Sequence, residues 1–124
     1  MSKPFSIKDR LKSFGYAIAG LKYMFSSQYN FLIHIVLAAI AVLLGFMLNI
    51  SSIEWVTIII VISLVISAEI FNTAIEEIVN FISPQKNKKA GIIKDLAAGA
   101  VLVLSMGALI TGIIIFLPKI IQIL

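Results

Sequence analysis

The chain has 124 residues, a length typical of a single domain. Hydrophobic residues make up 60% of it and charged residues 13%, and its mean hydropathy is +1.10, which excludes an ordinary soluble domain. It contains no cysteine, so disulfide bonds, thiolate catalysis and cysteine-containing metal sites are excluded. The formal net charge of +4 follows from lysines and an arginine that flank the apolar segments, and it does not predict a nucleic-acid partner.

The first predicted element, at residues 6–25, is an amphipathic helix. Its apolar positions recur at spacings of 3 and 4 residues, and they are Leu11, Phe14, Ile18, Leu21 and Phe25. Ser6 can cap its start, with Asp9 in the first turn. We expect this helix to lie in the cytoplasmic surface of a membrane. The helix either serves as a simple anchor at the membrane surface or covers a functional site. In the second case, cations such as Arg10 and Lys12 bind a phosphate there.

Three apolar segments follow, and each is long enough to cross a bilayer as a helix. They span residues 31–50, 53–82 and 96–117. Pro84 is expected to end the second segment and Pro118 the third. Lys94 and Asp95 are expected to open the third. The predicted fold class is an all-α integral membrane protein, with an N-terminal surface helix and three transmembrane helices in one domain over residues 1–124.

Basic residues are distributed unevenly around these segments. Five precede the first segment and four lie in the loop at residues 83–95, whereas the turn at residues 49–54 has none. Because lysine and arginine are enriched in cytoplasmic loops, the N-terminus and the 83–95 loop are expected to face the cytoplasm.

The second apolar segment carries a polar face. Counted from Glu69, its polar positions lie 3, 4, 7 and 11 residues further on, and they are Asn72, Thr73, Glu76 and Asn80. At about 3.6 residues per turn these positions share one side of a helix. A carboxylate in a membrane helix costs roughly 2.5–3.5 kcal/mol, so such residues predict a functional site. Because lipid cannot satisfy them, the face is expected to point at other helices or at a cavity.

The depth of this face indicates its chemistry. Glu69 lies about 20 Å along the helix from Trp55, inside a hydrocarbon core about 30 Å thick, and Glu76 reaches the far interface. Such a face suits chemistry that joins a lipid reactant to a soluble one. These carboxylates and the loop lysines beside them can together hold Mg²⁺ and polyphosphate, although no Walker A or kinase glycine-rich loop is present. His34 is predicted to be a satisfied polar residue near the interface rather than a catalyst.

The third apolar segment is rich in small residues. Ala98, Ser105 and Gly112 recur every seven positions, and small residues allow close contact between membrane helices. This pattern predicts helix packing rather than a cofactor groove. Since three helices form a thin bundle, oligomerisation is expected, with the functional site shared between subunits.

The polar face also resembles a family signature. The run Glu-Ile-Phe-Asn-Thr-Ala-Ile-Glu at residues 69–76, followed by Val79 and Asn80, is similar to that of the small bacterial membrane lipid kinases, the diacylglycerol kinase and undecaprenol kinase family. Lys94-Asp95-Leu96 and Gly15-Tyr16 are further matches, and the resemblance spans nearly the whole chain. It implies a homotrimer in a bacterial inner membrane that transfers the γ-phosphate of ATP to a lipid alcohol with Mg²⁺.

The resemblance implies roles for individual residues. Glu69 is expected to be the general base, and Glu76 to bind Mg²⁺ together with ATP. Gln28 matches the position of a second metal-binding residue. The nucleotide contacts are expected to be Tyr16, Glu76, Gln85, Lys86, Asn87, Lys94 and Asp95, with support from Asn72, Arg10 and Lys12.

Three positions depart from the family pattern. Gln28 stands where the family usually has a glutamate, and Asn80 where the signature usually ends in aspartate. The N-terminal arginine is displaced, with Asp9 followed by Arg10. The first two departures remove negative charge from around the metal. A catalytically impaired or non-enzymatic membrane protein that retains the fold is therefore the alternative to a lipid kinase, and a small proton or cation conductor is a third hypothesis.

Two features of the sequence bear on the acceptor lipid. Ile-Ser-Pro at residues 82–84, and the pattern that joins Asn30 to His34, resemble the undecaprenol kinase branch of the family. That branch acts on a long isoprenoid alcohol. Diacylglycerol remains an alternative, because the pocket that selects the lipid is not identified by the sequence.

Overall fold

The computed structural model describes residues 3–124, and these form four α-helices. In chain order they are α1 (Ile7–Ser27), α2 (Tyr29–Met47), α3 (Ser52–Ile82) and α4 (Lys88–Ile123). Helices α2, α3 and α4 are each long and apolar enough to cross a membrane, which confirms the predicted all-helical architecture with three candidate membrane spans. Helix α3 is central, because it packs along both α2 and α4, whereas α2 and α4 meet at few positions.

Helix α1 begins at the predicted serine cap and leads directly into α2. The Ser6 hydroxyl accepts a hydrogen bond from the Asp9 amide at 3.4 Å. Near its other end Met24 is buried, and the Phe25 and Phe31 rings meet edge to face with their centroids 5.1 Å apart. The apolar side chains of the earlier turns are exposed, so α1 is held to the bundle mainly by its last turns.

A tight turn joins α2 to α3, and it ends α2 at Met47, short of the predicted limit. Asn49 adopts a left-handed φ of 51°, and the Ile50 amide donates to the Gly45 carbonyl at 3.2 Å. This hydrogen bond is typical of the Schellman motif that ends many helices. Gly45 also allows a close approach, since a Cβ at that position would lie 2.6 Å from a ring carbon of Trp55.

The same end of the bundle holds an apolar core. Its buried members come from the turn, α3 and α4, and they are Ile50, Ile58, Ile115 and Phe116. Beside this core the Lys119 ammonium lies 3.2 Å from the Glu54 carboxylate. Glu54 also forms a capping box with Ser51 at the start of α3. Apolar burial and paired charges therefore hold α3 and α4 together at the end remote from Glu76.

The predicted limits of the third apolar segment, residues 96–117, are too narrow. Helix α4 begins at Lys88, because the Asn87 side chain accepts hydrogen bonds from two amides of the first turn and so supplies an N-cap. Lys94 and Asp95 therefore lie within α4 and do not open it.

Pro118 does not end the third helix, contrary to the prediction. Helix α4 continues through it to Ile123. A proline removes one helical hydrogen bond, but membrane helices tolerate this loss where neighbouring contacts compensate for it. Here the following turn is held by the ion pair between Lys119 and Glu54 and by Ile120, which packs against the apolar core.

Candidate functional site

The polar face of α3 is buried at one end and exposed at the other. The relative solvent accessibility of Glu69 is only 5%, and that of Thr73 is 4%. Asn72 and Glu76 are half-buried, and Asn80 is exposed. The face therefore leads from the interior of the bundle to the end that carries the basic loop. A reactant along it has apolar surroundings at one end and water at the other.

Glu69 is paired with a side chain of a neighbouring helix. The Nε2 atom of His34, on α2, lies 3.1 Å from Glu69 Oε1, and the two side chains are 19% and 6% exposed. Because a polar partner offsets part of the cost of burying a carboxylate, His34 helps to accommodate Glu69 among apolar side chains. His34 also lines an apolar groove of about 490 Å³ between α2, α3 and α4.

Glu76 is paired within its own helix. The Asn72 amide nitrogen donates to Glu76 Oε1 at 3.1 Å, whereas Asn72 Oδ1 is buried and has no hydrogen-bond partner among the described residues. An unpartnered oxygen beside a carboxylate suits Mg²⁺, which prefers oxygen ligands. Residues 3–124 hold no cluster of three His, Cys, Asp or Glu side chains, so a Mg²⁺ ion here would need further oxygen ligands, such as those of amides and phosphates. With that addition, the residues fit the metal that the resemblance implies.

The loop between α3 and α4 lines an open cavity of about 470 Å³. Four of the predicted nucleotide contacts lie on its wall, namely Gln85, Lys86, Asn87 and Lys94. The Lys94 ammonium donates a hydrogen bond to Asn80 Oδ1, which joins the loop to the polar face. Ammonium groups and amides around one cavity are groups that bind phosphate oxygens.

Besides Glu76 and Asn72, four predicted nucleotide-binding or supporting residues lie outside the lining of this cavity. Tyr16, Arg10 and Lys12 are exposed on α1, and Asp95 is exposed on α4. Because α1 leaves its first turns uncovered, its side chains are free to meet a ligand or a membrane surface.

Gln28 lies at the junction of α1 and α2 and is half-buried. Its amide nitrogen donates to the Ser27 hydroxyl at 3.3 Å. Within the part of the chain that the structure describes, it makes no hydrogen bond with Glu76. Two ligands of one metal ion need not be hydrogen-bonded to each other, so the pairing of Gln28 with Glu76 at a metal stays a prediction.

Helix α1 is tied to α3 next to the polar face. The Tyr23 hydroxyl donates to a carboxylate oxygen of Glu77 at 2.9 Å. This hydrogen bond, together with the negative charge of Glu77, raises the pKa of Tyr23 above its usual value of 10.0. Since Glu77 follows Glu76 in α3, the contact holds the end of α1 close to the candidate metal site.

Sequence reasoning missed the pairing of His34 with Glu69 and that of Tyr23 with Glu77. A signal for the first was available, because α2 contains no Asp, Glu, Lys or Arg and His34 is the one histidine of the chain. An ionisable residue in such a segment predicts a polar partner on another helix. No comparable signal marks Tyr23, which is one of several aromatic residues near the end of α1.

Several proteins are similar in sequence to most of this chain. A family model described as prokaryotic diacylglycerol kinase matches residues 15–116. The chain is 39% identical over 108 residues to an undecaprenol kinase of Bacillus subtilis (strain 168), with 87% of this chain and 88% of the relative covered. It is 35% identical over 115 residues to a diacylglycerol kinase of Synechocystis sp. (strain ATCC 27184 / PCC 6803 / Kazusa), with 92% of this chain and 66% of the relative covered.

A third relative extends the comparison to another bacterium. The diacylglycerol kinase of Escherichia coli (strain K12) is 31% identical over 105 residues, with 85% of this chain and 86% of the relative covered. The matched region at residues 15–116 contains all of α2 and α3, the basic loop and most of α4. The resemblance seen in the sequence is thereby confirmed: the chain belongs to the prokaryotic diacylglycerol kinase family.

Proposed function

We propose that this chain transfers the γ-phosphate of ATP to the hydroxyl group of a membrane lipid alcohol, undecaprenol or diacylglycerol. The observation that carries the proposal is the polar face of α3, which is buried at Glu69 and exposed at Asn80. A lipid hydroxyl arrives from the hydrocarbon side and ATP from water, so the site must meet both. The names of the relatives, undecaprenol kinase and diacylglycerol kinase, support the same reaction.

Glu69 is the general base in this proposal. Its carboxylate accepts the proton of the lipid hydroxyl as the hydroxyl oxygen attacks the γ-phosphorus of ATP and the bond to the departing ADP breaks. Phosphoryl transfer depends mainly on positioning and on stabilisation of charge. The burial of Glu69, together with its contact to His34, supports this role because a held carboxylate presents its free oxygen in a defined direction.

Glu76, Asn72 and Gln28 hold Mg²⁺. When bound, the ion supplies positive charge to the phosphate oxygens. Glu76 offers a carboxylate oxygen, and Asn72 offers the buried Oδ1 atom that has no partner among the described residues. Gln28 offers an amide oxygen, which can bind the metal but brings no negative charge.

The basic loop binds the nucleotide. Gln85, Lys86, Asn87 and Lys94 line one cavity, and Lys94 reaches the polar face through Asn80. Lysine ammonium groups therefore lie where a polyphosphate can extend towards Glu76. The remaining contacts are assigned to Tyr16 and Asp95, with support from Arg10 and Lys12.

The protein is a multi-pass protein of a bacterial inner membrane with its N-terminus in the cytoplasm. Five basic residues before α2 and four in the loop before α4 support this orientation. Helix α1 lies on the cytoplasmic membrane surface, which its exposed Leu11, Phe14 and Ile18 side chains support. Residues 1–124 act as one membrane domain.

The functional unit is a homotrimer in which subunits share sites. Gly99, Gly107 and Gly112 on α4 have open space where a Cβ would lie, which supports close approach by a helix of another subunit.

The acceptor is proposed to be undecaprenol, with diacylglycerol as the second candidate. The greater identity to the undecaprenol kinase of Bacillus subtilis, 39% against 35% and 31% for two of the diacylglycerol kinases, supports this order. The test is a side-by-side assay in nanodiscs that contain equal mole fractions of either alcohol, with radiolabelled ATP. A higher kcat/KM for undecaprenol is expected, and a clear preference for diacylglycerol would reverse the assignment.

A further inference from the structure

His34 is placed where it can act on the proposed base. It is the single histidine of the chain, and its Nε2 atom lies 3.1 Å from Glu69 Oε1. Helix α2 contains no Asp, Glu, Lys or Arg. The contact therefore joins the one histidine, which lies in the second turn of α2, to the most buried carboxylate of α3.

The chemistry of the two groups determines the direction of this hydrogen bond. An ionised carboxylate has only acceptor oxygens, whereas a neutral imidazole has one N–H donor and one acceptor nitrogen. If Glu69 is ionised, as a general base must be, Nε2 of His34 carries the hydrogen and donates it to Oε1. The contact with His34 is made through Oε1, which leaves Oε2 as the oxygen that accepts a proton from a substrate hydroxyl.

We propose that His34 is a positioning residue that holds the Glu69 carboxylate with Oε2 directed at the lipid hydroxyl. This inference rests on the proposed function, because it assigns His34 a role through Glu69 as the base. Helix α2 positions the His34 ring, and helix α3 positions the Glu69 carboxylate. Because the two helices are packed together, a hydrogen bond between these groups holds the base in one orientation. A carboxylate that points in another direction would lower the rate of the proposed reaction, because proton transfer requires hydrogen-bond geometry.

The first test is independent of activity. Because the chain has one histidine, labelling histidine with ¹⁵N gives a single imidazole in the NMR spectrum of the full-length protein in nanodiscs. We expect the tautomer with hydrogen on Nε2, and an Nε2–H proton shift that moves upfield in Glu69→Gln. Glu77→Gln, which removes a carboxylate from the same helix, should leave the imidazole signals unchanged. If Glu69→Gln also leaves them unchanged, the contact is absent and the proposal is wrong.

The second test separates positioning from a purely structural role. His34→Gln retains a donor near the position of Nε2, whereas His34→Leu has none. We expect His34→Leu to lower kcat roughly ten- to hundredfold, the value of a hydrogen bond to a charged group, with little change in KM. His34→Gln should recover most of that loss. Equal losses in both variants would contradict the proposal.

A double-mutant cycle completes the test. In a Glu69→Asp background the shorter carboxylate no longer reaches His34, so adding His34→Leu should lower kcat only slightly. A purely structural role of His34 predicts instead that His34→Leu lowers kcat by the same factor in both backgrounds. Near-normal turnover by Glu69→Gln would remove the base role from the proposed function. That outcome is distinct from a failure of the NMR test, which would remove the His34 contact and leave the base role untouched.

Discussion

At the scale of single residues, the main feature is a carboxylate that stays buried in an apolar helix. Glu69 is 5% exposed, and a charged group at such a depth is costly. Its hydrogen bond with His34 offsets part of this cost, and the proposed reaction gives the charge a use.

Glu69→Gln should abolish most turnover without unfolding the protein. The amide keeps the shape and the hydrogen-bonding capacity of the side chain, but it cannot accept the substrate proton. Loss of a positioned base lowers kcat roughly 10²–10⁴-fold, as measured with saturating lipid and ATP.

The matched control for this substitution is Glu54→Gln. Glu54 lies on the same helix, at the other end, and pairs with Lys119. Its replacement should leave kcat close to that of the unaltered protein. A Glu69→Gln variant with near-normal kcat would exclude Glu69 as the base.

The metal-binding residues give a second residue-scale prediction. Gln28→Glu adds one negative charge at the position where the family usually has glutamate. Since Mg²⁺ is bound through few protein carboxylates together with phosphate oxygens, the added charge should lower the Mg²⁺ concentration for half-maximal activity. The affinity for lipid should not change.

A magnesium titration at fixed ATP concentration measures this effect. Glu76→Gln provides the opposite change, and excess Mg²⁺ should restore part of its activity. If the curves for Gln28→Glu and for the unaltered protein superimpose, position 28 does not contact the metal.

The sequence predicted the spacing of the polar face but not its partners. Intervals of 3, 4, 7 and 11 residues from Glu69 are a property of one helix, so they follow from helical geometry alone. The contact of Glu69 with His34 depends on the rotation and the register of α2 against α3. Rotation and register depend on contacts between the two helices, such as that of Gly45 with Trp55, and the periodicity of a single helix does not predict such contacts.

At the scale of elements, the α2–α3 corner depends on a glycine. A Cβ at Gly45 would lie 2.6 and 2.9 Å from two Trp55 ring carbons, so Gly45→Ala forces the helices apart or moves the indole. Overpacking of this kind typically costs about 1–3 kcal/mol. We expect a lower thermal midpoint for Gly45→Ala in the same detergent.

Gly20→Ala is the control for this change. Gly20 is also helical but has no atom within 4 Å of a built Cβ, and replacing such a glycine stabilises a helix by up to about 1 kcal/mol. Equal midpoints for the two variants would show that the Gly45–Trp55 contact does not limit packing.

The attachment of α1 to α3 depends on pH. The pKa of Tyr23 is raised by its hydrogen bond to Glu77 and by that residue's charge. The contact therefore stabilises the fold below the usual tyrosine pKa of 10.0, and the contribution is lost as the pH rises through the raised pKa.

Tyrosine ionisation, followed by ultraviolet absorbance, tests this prediction. The chain has three tyrosines, and the transition of Tyr23 should lie above the usual tyrosine pKa of 10.0. Tyr23→Phe should remove that late transition, and Glu77→Gln should move it to lower pH. A late transition that persists in Tyr23→Phe would contradict the assignment.

Hydropathy predicted the three apolar helices well but not all of their ends. Helix α3, at Ser52–Ile82, lies close to the predicted 53–82, because its apolar run is long and Ser51 caps it. Helix α4 begins earlier than predicted, since Lys88 and Lys89 resemble a solvated loop although Asn87 caps a helix there. It also passes through Pro118, because tertiary contacts of the last turn outweigh one missing hydrogen bond.

At the scale of the whole molecule, the chain is a thin bundle with α3 at its centre. The end remote from Glu76 is held by an apolar core and the pair formed by Lys119 and Glu54, and the basic end carries the loop cavity and the exposed part of the polar face. The apolar core and the proposed site thus lie towards opposite ends of the bundle. The proposed trimer would cover the α4 glycines that have open space around them.

The central claim is that the polar face of α3 catalyses phosphoryl transfer from ATP to a lipid hydroxyl. The most direct measurement follows the radiolabelled γ-phosphate of ATP into the lipid extract of nanodiscs that contain the purified protein, Mg²⁺ and undecaprenol, with diacylglycerol in a parallel sample. The account predicts labelled lipid phosphate, formed in step with ADP, from the unaltered protein. The absence of labelled lipid from both alcohols, in protein that remains folded, would contradict it.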